Sequence, residues 1–136
     1  MKSLETLLKV AKRRLDDLGI EAAKLSIELD NLRAETAVLA AREQSEVELA
    51  STDLQLLAMM PAYRQRMAQQ IGAAQQCVVE KEAQLEAVRE RLTAAYQEKS
   101  KFEELLERER LRAEMARSAA EQAALDEAAI NRVGRD

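Results

Sequence analysis

The chain has 136 residues and a net charge of −4, and Ala, Leu, Glu, Arg and Lys make up 84 of them, a composition typical of long helices and coiled coils. It has no histidine, one cysteine (Cys77) and three aromatic residues. These counts argue against a histidine or cysteine metal site, a disulfide and an aromatic-rich globular core. Because acidic residues outnumber basic ones, we expect no nucleic-acid binding.

The apolar residues are too interrupted for a membrane span or a signal peptide. No apolar run approaches eighteen residues, and charges separate the leucines of the first fourteen residues. We therefore expect a cytoplasmic protein, in which a single reduced thiol is usual.

The first predicted element is a long helix over about residues 3–50. Its apolar residues are spaced alternately four and three apart, which is the seam of a left-handed coiled coil. The seam positions are Leu4, Leu8, Ala11, Leu15, Leu18, Ala22, Leu25, Leu29, Leu32, Thr36 and Leu39. The next positions would be Glu43 and Glu46, which are unsuited to burial. The four-three spacing of apolar residues resumes four residues later than expected. This shift indicates either a stutter or the end of the helix. The late positions are Val47, Ala50, Leu54 and Leu57.

A turn is predicted over about residues 51–60, and a second helix over about residues 61–131. Pro61 suits the first turn of a helix, whereas in a helix interior it removes a hydrogen bond and introduces a kink. The alternative is one continuous rod that is kinked at Pro61. Gly134 fits a position just past the end of the second helix.

The second helix has a seam of its own. Its positions are Met67, Ile71, Ala74, Val78, Lys81, Leu85, Val88, Leu92, Ala95, Lys99, Phe102, Leu106, Glu109, Ala113, Ala116, Ala120, Ala123, Glu127 and Ile130. We interpret the charged seam residues Lys81, Lys99 and Glu109 as setting the register, and a role in excluding other partners is compatible with this.

Seams of this length need a partner helix, because an isolated helix gains little from an exposed apolar stripe. The nearest partner is the first helix folded back antiparallel, so that residue i faces roughly residue 113 − i. The alternative partner is a second copy of the chain. We predict an all-α fold: a single domain, residues 1–136, forming a long antiparallel two-helix coiled-coil hairpin with a longer C-terminal helix. Residues after about Arg110 then have no intrachain partner.

Basic residues gather at the open end of the predicted hairpin. They are Lys9, Lys12, Arg13, Arg14, Arg108, Arg110, Arg112 and Arg117, here called the basic cluster. Acidic residues are interleaved with them, which weakens binding to phosphates. We expect this surface to bind a protein rather than nucleic acid or a membrane; the alternative is a solvated face without a partner.

Nothing in the sequence indicates catalysis. Paired acids such as Asp16 and Asp17 are typical of the solvated surface of a long helix, and no phosphate loop, nucleophile elbow or zinc-ligand spacing is present. We expect no enzyme activity, no catalytic residue, no metal and no cofactor.

Both ends of the chain carry a specific resemblance. Residues 3–11, SLETLLKVA, followed by Asp16 and Asp17, and residues 125–129, LDEAA, with Arg132 beyond them, resemble the flagellar export protein FliJ family. The length and the hairpin pattern are similar as well. The injectisome stalk proteins of type III secretion are built alike and are an alternative, as is a homodimeric structural coiled coil.

The resemblance implies a non-enzymatic stalk and adaptor of flagellar type III protein export, which serves motility. The open end would enter the central hole of the hexameric export ATPase and stimulate it. The ATPase-binding residues would be the basic cluster together with Ala113, Ala116 and Ala120. An export-gate membrane protein and export chaperones would be further partners, and the chain would reach the cytoplasmic face of the inner membrane only through its partners.

The family's gate-binding stripe matches Leu39, Met67, Ile71 and Ala74 by spacing. The sequence departs from the family pattern here, since Met67 stands where an aromatic residue is common. Arg42 and Glu46 stand where tyrosines occur in some members.

Overall fold

The structure, a computed structural model, describes residues 2–135 and consists of two long helices. Helix α1 spans Lys2–Ala50 and helix α2 spans Leu54–Arg135. The described residues contain no strand, and the two helices pack against each other. This confirms the predicted all-α helical hairpin. Neither helix has an apolar stretch, within the described residues, that is long enough to cross a membrane.

Three residues, Ser51 to Asp53, connect the helices. The side chains of Ser51 and Thr52 donate hydrogen bonds to the carbonyls of Glu48 and Leu49, at 2.6 and 2.7 Å, and thereby close the end of α1. The Asp53 carboxylate accepts a hydrogen bond of 2.9 Å from the backbone N–H of Gln55, which is an N-cap for α2.

The start of α2 differs from the prediction. The helix begins at Leu54 rather than Pro61, and Pro61 lies inside it. The Asp53 cap explains the earlier start, because it satisfies a free N–H of the first turn. The interpretation of residues 51–60 as a turn is therefore wrong beyond Asp53. At the other end α2 continues through Gly134 to Arg135, so Gly134 does not end the helix.

The described residues form two compact units. One is Asp16–Thr93, here called the turn unit, and the other comprises residues 2–15 and 94–135, here called the terminal unit. The prediction of a single domain stays a prediction.

In the turn unit the seam lies where the sequence predicts it. Every seam position of α1 from Leu18 to Leu39 is at least half-buried, and Leu29 is 4% exposed. Met67, Leu85 and Val88 are the buried seam residues of α2 in this unit. Burial of these apolar side chains is the main stabilising term available to a helix pair with so few large residues.

Two ion pairs join the helices of the turn unit. Lys81 Nζ lies 3.0 Å from Glu28 Oε2, and Arg33 Nη2 lies 3.0 Å from Glu82 Oε1. The predicted facing rule of residue i with residue 113 − i holds to within two residues at the Arg33 pair and four residues at the Glu28 pair. The hydrogen bond from Lys81 lowers the pKa of Glu28. Lys81 therefore helps to define the register, as expected for a charged residue on the seam.

Of the two alternatives, a stutter and the end of the helix, the structure has the stutter, and α1 continues to Ala50. Leu39, Glu43 and Val47 are half-buried and Ala50 is buried, whereas Glu46 is exposed. Here two successive seam intervals are four residues long, instead of one of four and one of three. The buried face therefore shifts around the axis of α1, and the helix continues. The seam does not extend to Leu54 and Leu57, which are exposed, contrary to the prediction.

In the terminal unit only part of α2 has a packing partner. Ala11 and Ala95 are buried, and the seam continues through the half-buried Leu106 and Glu109. Every residue from Arg110 to Arg135 is exposed. The predicted unpartnered end of the second helix is confirmed over the described residues.

Candidate protein-binding surface

The basic cluster lies in the terminal unit, and all eight of its side chains are exposed. The α1 members occupy residues 9–14, a segment with four bases and no acid. The α2 members lie within residues 104–117, which contain four arginines and four glutamates. The positive character of the cluster therefore comes mainly from α1.

Three of the four α2 arginines are already paired with glutamates one turn earlier on the same helix. Arg108 contacts Glu104 and Arg110 contacts Glu107, each at 2.8 Å, and Arg112 contacts Glu109 at 3.5 Å. The hydrogen bond that Arg110 donates to Glu107 raises the pKa of Arg110. Such local ion pairs reduce the positive electrostatic potential that the α2 arginines present to a binding partner.

Five members of the cluster have no carboxylate within 4 Å among residues 2–135: Lys9, Lys12, Arg13, Arg14 and Arg117. These residues carry the charge that is available to a partner. Sequence reasoning weighted the eight residues equally. The i,i+3 and i,i+4 spacing of the α2 glutamates and arginines was the signal that separates the two groups.

Residues 110–135 are an exposed helix, here called the overhang. They include Ala113, Ala116 and Ala120, and a shallow groove on this segment is lined by Arg110, Ala113, Glu114 and Arg117. Larger apolar side chains are exposed as well: Leu111, Met115, Leu125, Ile130 and Val133. Because an exposed helix of this composition gains nothing from its apolar side chains in water, the overhang is suited to packing against another molecule.

The four residues matched to the gate-binding stripe lie in the turn unit. Met67 is buried, and Leu39, Ile71 and Ala74 are half-buried. They occupy the seam between α1 and α2, so most of their surface is committed to helix packing. The structure leaves little of each available to a partner.

Catalytic and metal-binding features are not found in the described part of the chain. No group of three or more His, Cys, Asp or Glu side chains is placed to hold a metal ion within residues 2–135. Cys77 is exposed on α2. The paired acids Asp16 and Asp17 are exposed helix residues, as the sequence indicates.

One comparison with known proteins gives a match. The family model described as Flagellar FliJ protein matches residues 1–136, the whole chain. No curated protein and no solved structure matches the chain.

Proposed function

Because the chain belongs to the flagellar FliJ protein family, we propose that it is a non-enzymatic stalk and adaptor of the flagellar type III export apparatus. Family membership gives the chain a role in flagellar protein export. The finer proposal is that it binds and stimulates the hexameric export ATPase. The overhang carries this proposal, since 26 consecutive exposed helical residues share a compact unit with the basic cluster.

The dimensions of the overhang suit insertion into a ring. A helix of this length is about 39 Å long and roughly 10–12 Å wide with its side chains, which is thinner than a helix pair. Ala113, Ala116 and Ala120 keep one side of it narrow. Leu111 and Met115 supply apolar surface that a protein wall would remove from water.

The charge of the terminal unit supports an acidic binding surface on the ATPase. Lys9, Lys12, Arg13 and Arg14 lie within six residues and form no ion pair among residues 2–135. Charges of this kind raise association rates and select partners more than they raise final affinity. We therefore assign the α1 bases to capture of the ring and the overhang to stable binding.

The further partners are part of the same proposal. The export gate would contact the exposed edges of Leu39, Met67, Ile71 and Ala74, and export chaperones would bind as well. Association with the inner membrane would follow from the gate contact alone. The chain would otherwise reside in the cytoplasm and have no enzyme activity, cofactor or nucleic-acid partner of its own.

A homodimeric scaffold is the second candidate, and the exposed alanine seam from Ala113 to Ala123 favours it, because two overhangs can pack on each other. A monomeric mass in light scattering would oppose this candidate, and a dimer that is lost on removal of residues 113–136 would support it. An injectisome stalk would use the same surface, and binding to its own ATPase rather than the flagellar one would identify it.

The test is co-purification with the flagellar export ATPase. We expect the full chain to bind the ring and a chain of residues 1–112 to lose binding while it remains folded. The double variant Arg13→Glu/Arg14→Glu should bind at least tenfold more weakly. The matched control is Arg64→Glu/Arg66→Glu, which makes the same charge change at exposed positions of the turn unit and should bind normally. Undiminished ring binding by residues 1–112 would contradict the proposal.

A further inference from the structure

Helix α1 carries a second apolar stripe in the turn unit, on the side opposite its seam. Ile20 lies between the seam residues Leu18 and Ala22, and Ile27 lies between Leu25 and Leu29. A residue two positions from its seam neighbours on both sides points about 200° away from them. Ile20 is 70% exposed and Ile27 is 63% exposed. Both therefore point outward, away from the helix pair.

The outward positions repeat every seven residues and continue along α1. The stripe, here called the outer stripe, consists of Ile20, Ala23, Ile27, Ala34, Ala37, Val38 and Ala41, all exposed. The same heptad position is Arg13 before the stripe and Glu48 after it. The apolar face is thus bounded at both ends by charge, is interrupted by Asp30 and Asn31, and spans about 32 Å at 1.5 Å per residue.

The corresponding solvent-exposed face of helix α2 is more polar than that of α1. Its positions midway between seam residues in the turn unit are Gln69, Gln76, Ala83 and Glu90, which are polar apart from one alanine, and the exposed apolar residues beside them are Val79 and Ala87. The outer stripe of α1 is therefore not a general property of this helix pair. Isoleucine and valine have lower helix propensity than Ala, Glu or Lys, so their use on an exposed face has no local structural reason.

A shallow apolar depression lies at the C-terminal part of the outer stripe, lined by Ala34, Glu35, Val38 and Leu39. The depression gives the stripe a concave surface in addition to its regular heptad spacing. Only Ala34 and Val38 of its lining residues belong to the stripe, so the depression lies at the edge of the stripe, where it can receive an apolar side chain of another helix.

The charges beside the outer stripe are mostly negative. The exposed acids Asp16, Asp17, Glu21 and Glu35 have no basic partner within 4 Å among the described residues, and the bases on this side that are not paired with α2 are Lys24 and Arg42. Arg33 is held by Glu82, and Glu28 by Lys81. A partner that packs here meets a net negative rim.

We infer that the outer stripe is a docking site for an amphipathic helix of a protein partner whose apolar heptad face is flanked by lysine and arginine. The heptad spacing of the stripe matches the apolar face of a partner helix. The acidic residues beside the stripe favour a partner with basic residues on both sides of that face. A second copy of the same face is disfavoured, because it would place two negative rims against each other. The site lies on α1 in the turn unit and involves neither the basic cluster nor the overhang, so it is independent of the ATPase-binding proposal.

The test uses the full chain and two synthetic helical peptides of about six turns, the length of the stripe. Both peptides carry the same leucine and alanine heptad face; one has lysine and arginine flanks and the other has glutamate flanks. We expect the basic peptide to bind and the acidic peptide to bind at least tenfold more weakly. Equal binding of the two peptides would refute the charge argument.

Matched variants locate the binding. Ile20→Glu/Ile27→Glu should weaken binding of the basic peptide at least tenfold. Ile20→Ala/Ile27→Ala should weaken this binding as well. Because alanine has a higher helix propensity than isoleucine, weaker binding by this variant could not be attributed to unfolding. The control Leu54→Glu/Met59→Glu removes side chains that are 85% and 66% exposed, outside the stripe, and should bind normally.

Three outcomes would overturn the inference. The first is normal binding by both outer-stripe variants, and the second is equal loss in the Leu54/Met59 control, which would indicate general apolar adhesion. The third is a stable dimer of the unmodified chain, measured by light scattering, that either outer-stripe variant converts to a monomer. That result would identify a second copy as the occupant of the stripe.

Discussion

Replacing Leu29 with alanine measures how much the seam stabilises the helix pair. Leu29 is 4% exposed, so the change removes three carbon atoms from a nearly water-free site. At about 0.8 kcal/mol for each buried methylene-sized group, the lost transfer free energy is about 2.4 kcal/mol. A cavity in a compact core would add to this loss, but a two-helix seam is open along both edges and relaxes into the space. We therefore expect the free energy of unfolding to fall by about 2–3 kcal/mol.

The assay is urea denaturation followed by far-ultraviolet circular dichroism, with Leu125→Ala as the matched control. Leu125 is 66% exposed on the overhang. The same substitution there should change the free energy of unfolding by less than about 0.5 kcal/mol. Equal effects of the two substitutions, or no effect of Leu29→Ala, would refute the conclusion that seam burial stabilises the fold.

Three further predictions concern Pro61 inside α2, the cross-helix ion pair and the overhang. Pro61→Ala should raise the free energy of unfolding by about 1–3 kcal/mol, because it restores a hydrogen bond inside α2; a lower urea midpoint would contradict this. Glu28→Gln should lower stability at neutral pH, and the difference from the unmodified chain should disappear in acid, as the pH falls through the lowered pKa of Glu28. The reason is that Lys81 lowers the pKa of Glu28 in the folded state, so its contribution exists only while the carboxylate is ionised; a difference that persists in acid would contradict it. Removal of residues 113–136 should leave the urea midpoint unchanged, since the described residues of that segment are exposed; a marked loss of stability would show that they pack on the rest of the chain.

The seam was predictable because it depends on periodicity. From Leu4 to Leu39, every residue assigned to the seam by its four-three spacing is at least half-buried. The start of α2 was not predictable in the same way. Pro61 is a strong local signal for the beginning of a helix, whereas the cap at Asp53 depends on one side-chain hydrogen bond.

The candidate surfaces were predictable only in outline. Composition and charge located the basic cluster and the exposed overhang, but the ion pairs that occupy Arg108, Arg110 and Arg112 depend on side-chain geometry. The outer stripe was missed because the seam dominates the apolar pattern of α1. Ile20 and Ile27 become informative only once the structure shows that the seam excludes them.

The most direct test of the proposed function is ATP hydrolysis by the flagellar export ATPase, measured over a concentration series of the full chain and of residues 1–112. We predict saturable stimulation by the full chain and none by residues 1–112, with both chains equally folded. Absence of stimulation by the full chain, or equal stimulation by the two, would contradict the assignment of the overhang as the stalk that activates the ring.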